Sequence, residues 1–366
     1  MASPSPASSR SEYVVHPRTW FAVVVAAVAV MGGGLAAPAG AAPMDALPDL
    51  GDDPQGPTRW TVEAVGDVTQ PLFDATGIDR RAGRTRSARL HLASGPWSFE
   101  LGGHRRALHD KSNDYRVQSW HSAVQFEPGA ASAADPLRWG IRLGAWGNRS
   151  DHLLQSTNSS LKVSGLKARL TEMELVQPRD LQWQLDLIGR ATLADPGWSV
   201  SGFAGAGTSA VSRSVVSGKA TISGCTYQLQ FSDERLNALP MPDCPQALIV
   251  SVPNTLLAVD VLQETRYRSV YGHAGAALRW AAAPWRLALG GELQQWQRSG
   301  ATERQTRNAL LVSEAAHAID PALSVVLRGQ YMHRQMLGEV PMLYNARSTS
   351  STRRVVSVSV GLQARF

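Results

Sequence analysis

From Arg59 to Phe366 polar and apolar residues alternate one by one over runs of about ten, each run ended by a break. A period of two sends successive side chains to opposite faces of a strand. The final run shows it best: Val356, Val358, Val360, Leu362, Ala364 and Phe366 share one face, and Ser357, Ser359, Gly361, Gln363 and Arg365 the other. Five breaks share one chemistry: Gly95-Pro96-Trp97, Asp135-Pro136-Leu137, Asp195-Pro196-Gly197-Trp198, Ala283-Pro284-Trp285 and Asp320-Pro321-Ala322-Leu323. Proline presets φ and cannot continue a ladder, so each marks a tight reversal. With both chain ends on one side, five such turns join six out-and-back pairs and predict twelve antiparallel strands. The intervals between them, near 69–86, 105–115, 149–180, 209–265, 299–306 and 337–352, are longer and polar. Two exceed plain loops. Leu161 to Leu175 alternates like a strand or short helix, and Val211 to Thr265 contains strand-like pieces such as Thr226 to Phe231; either adds two strands, so fourteen is the alternative count.

Alternation alone also suits a soluble sandwich. Tryptophan and charge separate the two. Trp60, Trp97, Trp139, Trp198, Trp280 and Trp285 all fall near a proposed turn or near the first strand. Tryptophan concentrates where headgroups meet hydrocarbon, because its ring is apolar and its N–H is not. The register opposite the apolar face holds Glu63, Asp67, Arg89, His91, Glu100, His104, His121, Arg138, Arg142, Asp186, Arg190, Tyr271, His273, Arg279, Arg286, Glu292, Arg328 and Arg334. A lipid-facing Arg or Lys near midplane costs about 2–4 kcal/mol, so these residues are expected to look inward. The fold class that follows is all-β: a transmembrane, antiparallel, up-and-down β-barrel. The lumen-lining candidates are Arg89, His91, Glu100, Arg138, Arg142, Asp186, Arg190, His273, Arg279, Arg286, Glu292 and Arg328. Two readings of them stay open: a water-filled passage favouring anions, or a salt-bridged filling of a narrow barrel.

The first residues have the layout of a cleavable leader. Arg10 and Arg18 precede an apolar run from Trp20 to Met31, Gly32-Gly33-Gly34 interrupts it, and Ala39-Gly40-Ala41 supplies a cleavage site. Residues 1–41 are read as signal peptide, 42–58 as a periplasmic N-terminal segment, and 59–366 as the barrel with a long outer loop at 209–265. The closing strand, with its terminal Phe366, resembles those of the Gram-negative outer-membrane β-barrel class. That resemblance covers about ten residues. It implies export through the general secretory pathway, an outer-membrane location, and the barrel-assembly machinery as a partner of the last strand; it implies no activity. A plug domain or a passenger is not expected ahead of the barrel, since about sixteen residues separate Ala42 from Thr58.

Charge and chemistry narrow the picture further. The formal net charge is +6, but the arginines are scattered rather than gathered on one helix or tail, so nucleic acid is not an expected partner. The run Arg80-Arg81-Ala82-Gly83-Arg84-Thr85-Arg86 offers four guanidinium groups, Arg80, Arg81, Arg84 and Arg86, to lipopolysaccharide phosphates, against the alternative of a solvated basic loop. Membrane-interface candidates are Trp97, Trp139, Trp198, Trp285 and Phe366, with outer-membrane lipid as their partner. Cys225 and Cys244 are the only cysteines; in an exported chain they are read as a disulfide, with two free thiols as the alternative. His109-Asp110-Lys111-Ser112-Asn113 faintly resembles the His, Ser and Asn set of outer-membrane phospholipases but lacks their Ser-Asn-Gly run, so an enzyme is not favoured. No metal site or cofactor is expected, and the glycine-rich run 202–207 reads as wall packing. The expected function is porin-like: passive passage or binding of small, anionic solutes. A surface interaction protein is the alternative, and a surface hydrolase a further one.

Overall fold

A computed structural model describes Leu47, Pro48 and, with gaps, the chain from Pro57 to Phe366. Outside the described residues lie 1–46, 49–56, 69–71, 76–81, 111–112, 129–136, 164–165, 196, 245–248, 255–261, 263–264, 300–304 and 334–352, together with the side chains at several strand ends. Twelve strands close into a barrel: β1 (Arg59–Asp67), β3 (Ala82–Ser94), β4 (Trp97–Asp110), β5 (Asn113–Phe126), β6 (Leu137–Ser150), β9 (Arg179–Thr192), β10 (Trp198–Ser212), β15 (Arg268–Ala282), β16 (Trp285–Ser299), β17 (Gln305–Ala318), β18 (Leu323–His333) and β19 (Arg353–Arg365). Each pairs antiparallel with its neighbours. β1 pairs with β19 from Thr61↔Arg365 to Asp67↔Ser359, which leaves no open edge. Phe366 completes the seam: its N–H donates to the Trp60 carbonyl at 2.9 Å, and Trp60 N–H to the Phe366 carbonyl at 3.1 Å. A short strand, β2 (Leu72–Ala75), pairs with β19 beyond the end of β1.

The outward register carries the apolar residues. Leu137, Trp139, Ile141 and Leu143 on β6, Leu181, Trp183, Leu185 and Leu187 on β9, and Trp285, Leu287, Leu289 and Leu293 on β16 are all exposed. In water so continuous an apolar belt is unfavourable, whereas in a bilayer it is the solvated surface, and a closed barrel leaves no backbone group unpaired there. The short reversals between β3 and β4, β9 and β10, β15 and β16, and β17 and β18 lie at the end that holds Arg59 and Phe366, while the expected turn at Asp135-Pro136-Leu137 falls on residues 129–136, outside the described ones. Gly197 shows why glycine is needed at one of them: its φ is +91°, and a Cβ there would run into the Ala281 carbonyl. At another, Asp320 Oδ1 accepts from the N–H groups of Ala322 and Leu323 at 2.7 and 2.8 Å, and so fixes the turn before β18. The interval near 105–115, expected as a loop, is mostly strand, because β4 and β5 stay paired as far as Asp110↔Asn113.

The surplus strands do not enlarge the barrel. The two longest outer connections form a separate six-stranded sheet in the order β14 (Val250–Pro253), β13 (Arg235–Pro240), β12 (Cys225–Phe231), β11 (Val215–Ile222), β8 (Leu166–Val176), β7 (His152–Val163). The barrel therefore has the expected twelve strands, and the alternative of fourteen does not hold. The alternation in Leu161 to Leu175 and Thr226 to Phe231 is real, but these strands pair with one another because they have their own apolar face to bury. Leu170, Met173, Leu175, Val216, Ala220, Tyr227, Leu229, Phe231, Leu236 and Ala238 form that core. The other face is polar, with Lys219–Glu172 and His152–Glu174 pairs both at 3.0 Å. Cys225 and Cys244 are joined by a disulfide, with Cα atoms 5.7 Å apart, closing the end of this sheet.

Candidate functional site

The inward register of the barrel is polar, and its charges are organised in layers. Nearest the chain termini, Glu63 on β1 accepts from Arg89 Nη2 at 3.2 Å and Arg328 Nη2 at 2.9 Å, and Arg328 donates on to Glu314 at 2.7 Å. Gln363 adds a bond to Glu63 at 3.3 Å, so one carboxylate ties β1 to β3, β18 and β19 across the seam. On β4, the next strand beyond β3, Glu100 accepts from Arg142 Nη2 at 3.2 Å and faces His121 Nε2. Farther from the termini, His273 lies between two carboxylates, with Nε2 2.7 Å from Asp186 and Nδ1 2.9 Å from Glu292. Two donating ring nitrogens suit that position. Gln184 holds Asp186 from 2.8 Å and Gln294 holds Glu292 from 2.9 Å, so each buried oxygen has a partner.

The layer nearest the termini surrounds a chamber of about 270 Å³. Its walls include Glu63, Arg89, His91, Glu100, Gln125, Arg142, Ala277, Arg279, Ala288, Gly290, Val312, Glu314, Gln363 and Arg365, drawn from nine of the twelve barrel strands, so it is the lumen itself rather than a surface cleft. Four arginines face three glutamates around it. Leu47 also lines it, against the row formed by Ala277, Gly290 and Val312, cross-strand partners on β15, β16 and β17. A Cβ on Gly290 would collide with the Leu47 side chain. A second space of about 20 Å³ touches Pro48, His121, Arg142, Trp146, Gln184, Asp186 and Glu292. The segment 42–58, expected in the periplasm, thus places Leu47 and Pro48 within the barrel.

Above the smaller space the lumen is filled by aromatic rings. Tyr271 stacks on Trp296 at 4.0 Å between centroids, and Trp146, three strands away on β6, lies 6.2 Å from Tyr271. The rings are held by their polar atoms: Tyr271 Oη donates to Gln184 at 2.9 Å and Trp296 Nε1 to Gln294 at 2.7 Å. All three are 3% exposed or less, which makes them a constriction rather than a lining.

The sequence candidates distribute as follows. Arg89, His91, Glu100, Arg142 and Arg279 surround the chamber. Asp186, His273 and Glu292 form the carboxylate–imidazole layer, and Arg328 is in the seam cluster. Arg138 pairs with Glu127 at 3.2 Å, Arg190 donates to Ser199 at 3.1 Å, and Arg286 donates to Gln363 at 2.7 Å. Trp97, Trp139, Trp285 and Phe366 are exposed near the terminal end, and Trp198 lies 6.4 Å from Trp280. Arg86 is exposed on β3. Arg80, Arg81, the Arg84 side chain and Arg334 lie outside the described residues, as do Lys111, Ser112 and the side chains of His109 and Asp110. Sequence reasoning missed Leu47, the amides Gln184, Gln294 and Gln363, and the roles of Trp146 and Trp296. For the two tryptophans a signal existed: they sit far from any tight turn and on the polar register, unlike the six near the turns.

No protein-family model matches the chain, and no curated protein matches its sequence. Solved structures similar to it include the translocator domain of the autotransporter NalP from Neisseria meningitidis, with 12% identity, 95% of each chain covered and a TM-score of 0.44. The β domain of the Bordetella autotransporter BrkA has 11% identity over 85% of this chain and all of its own, with a TM-score of 0.42. The NanC porin has 8% identity over 83% of this chain and 98% of its own, with a TM-score of 0.41. Likenesses this distant assign no activity, and the barrel rests on its own strand pairing.

Proposed function

We propose that this protein is an outer-membrane barrel that admits small solutes into its lumen, with a preference for anions. The observation that carries the reading is the chamber enclosed by side chains of nine strands, with four arginines and His91 against three glutamates. A charged, water-lined chamber in a low-dielectric wall concentrates ions of the favoured sign. Leu47, Pro48 and the Trp146–Tyr271–Trp296 cluster narrow it, so the passage is selective for size rather than an open pore. The closing strand ending in Phe366 is the segment presented to the assembly machinery in this reading.

Conductance across a planar bilayer in a salt gradient tests the proposal. Small steps with a reversal potential of anionic sign are expected; silence from correctly folded protein would refute it. A second reading is favoured by one specific feature. The outer sheet has its own core and a polar free face, which suits a surface contact module, and silence in the bilayer would leave that role standing.

A further inference from the structure

The outer surface of the barrel carries an arrangement that the lumen does not explain. On the outward register, at the end away from the termini, Arg86 on β3 stands directly opposite Arg105 on β4. Arg105 is opposite Gln118 on β5, Gln118 opposite Arg149 on β6, Arg149 opposite Arg179 on β9, and Arg179 opposite Ser212 on β10. These residues form one row around six strands. All four arginines are exposed. Like charges directly opposite one another in a sheet are destabilising, yet this row contains two such pairs. The bonds that order it are to neutral groups: Arg149 Nε donates to Gln118 at 2.9 Å and Arg179 Nε to Ser212 at 3.1 Å. No carboxylate pairs with any of the four among the described residues. Such bonds aim guanidinium groups without neutralising them.

Towards the middle of the barrel the same face carries Trp120, the next outward residue after Gln118, and Trp183, the second after Arg179; they are 38% and 49% exposed. Gly147 on β6 leaves room for the Trp120 ring to lie across it. Exposed tryptophans on a lipid-facing wall mark the boundary of the hydrocarbon, so the arginines stand at headgroup height in the outer leaflet. The centres of the two Arg–Arg pairs are three strand spacings apart, about 14 Å. A headgroup with a phosphate at each end of a disaccharide matches that spacing, and guanidinium groups bind phosphate through paired N–H donors.

We propose that this row binds the phosphorylated glycolipid of the outer leaflet, one phosphate at Arg86–Arg105 and one at Arg149–Arg179. The inference rests on the outer-membrane reading but not on the passage of solutes. The test uses purified full-length protein in detergent, titrated with bisphosphorylated lipid A, with the same lipid after phosphatase treatment, and with inorganic phosphate. The readout is the thermal midpoint of the band shift on unheated gels. The bisphosphorylated lipid should raise the midpoint, and the dephosphorylated lipid should not. In an Arg105→Gln/Arg149→Gln variant the apparent affinity should fall at least tenfold, while Arg235→Gln in the outer sheet changes nothing. Arg149→Gln alone serves if the double variant does not fold. Equal affinity of the wild-type protein and the variant, or of the two lipids, overturns the proposal. So does competition by inorganic phosphate at the same concentration as the lipid, which would show a general anion patch. Conductance measured in parallel separates failure here from failure of the passage reading.

Discussion

Replacing Glu63 by Ala is the sharpest probe of how the barrel is held shut. Glu63 is 3% exposed and joins Arg89, Arg328 and Gln363 across the β1–β19 seam, and Arg328 is itself 1% exposed. Removing one partner of a buried ion pair costs about 3–5 kcal/mol, chiefly because the remaining charge is left uncompensated. Two features place this case at the low end: Arg328 keeps Glu314 at 2.7 Å, and the Arg89 side chain is 18% exposed to the chamber. The expected loss is about 3 kcal/mol, roughly a hundredfold in the folding equilibrium. Urea titration in detergent micelles, followed by the mobility of unheated protein on gels, measures it. Replacing Arg328 by Met as well removes the stranded charge, so the double variant should be more stable than the sum of the two single losses. A loss below about 1 kcal/mol, or strict additivity, would refute the claim that charge compensation closes the seam.

Four further outcomes follow from the same geometry. Leu187, 57% exposed and mid-strand on β9, should cost about 2–4 kcal/mol when replaced by Arg, whereas Leu193→Arg at the turn should cost under about 1 kcal/mol; equal losses in a urea titration would mean that the belt does not meet hydrocarbon. Cys225→Ser opens a loop of sequence separation 19, worth about 3 kcal/mol in chain entropy, so limited proteolysis should cut the outer sheet while the barrel's gel mobility is unchanged. Trp296→Ala removes the stacking partner of Tyr271 and should raise single-channel conductance severalfold without changing its ion preference. Leu47→Ala should enlarge the chamber and raise conductance by a smaller factor, and an unchanged current would show that Leu47 is not in the path of the ions.

The barrel was legible in the sequence because its determinants are local. Proline in a tight turn, an apolar residue every second position, and tryptophan near the turns each act within a few residues, and together they gave twelve strands with their register. What sequence alone could not separate was the outer sheet, since strands such as β12 alternate with the same period as β16. Length does not separate the two sets, because the outer strands β7 and β8 run 12 and 11 residues while the barrel strands β1 and β18 run 9 and 11. What differs is the fate of the apolar face: Leu287, Leu289 and Leu293 of β16 stay exposed, whereas Tyr227, Leu229 and Phe231 of β12 join a buried cluster with Leu170, Val216 and Leu236.

The lumen was legible only as a list of side chains on the polar register. Which of them touch depends on curvature: closing a sheet brings β9 and β15, two strands apart, near enough for Asp186 and His273 to meet at 2.7 Å. No spacing along the chain encodes that contact, 87 residues apart in sequence. The same curvature explains how one interior contains both features that the sequence reading set against each other. On the wall, neighbouring strands bring Arg, Glu and His into ion pairs that compensate their burial. Towards the axis those pairs leave a gap, which Leu47 and Pro48 line and which Trp146, Tyr271 and Trp296 narrow at the end away from the termini. The charges that stiffen the wall are therefore also the charges that a solute in the chamber meets, and an anion must compete with Glu63, Glu100 and Glu314 for guanidinium groups already engaged. Selectivity in such a chamber should be weak, and it should strengthen when Glu314, with its side chain 28% exposed, is replaced by Gln. A reversal potential unmoved by that substitution would mean that the solute path avoids this wall.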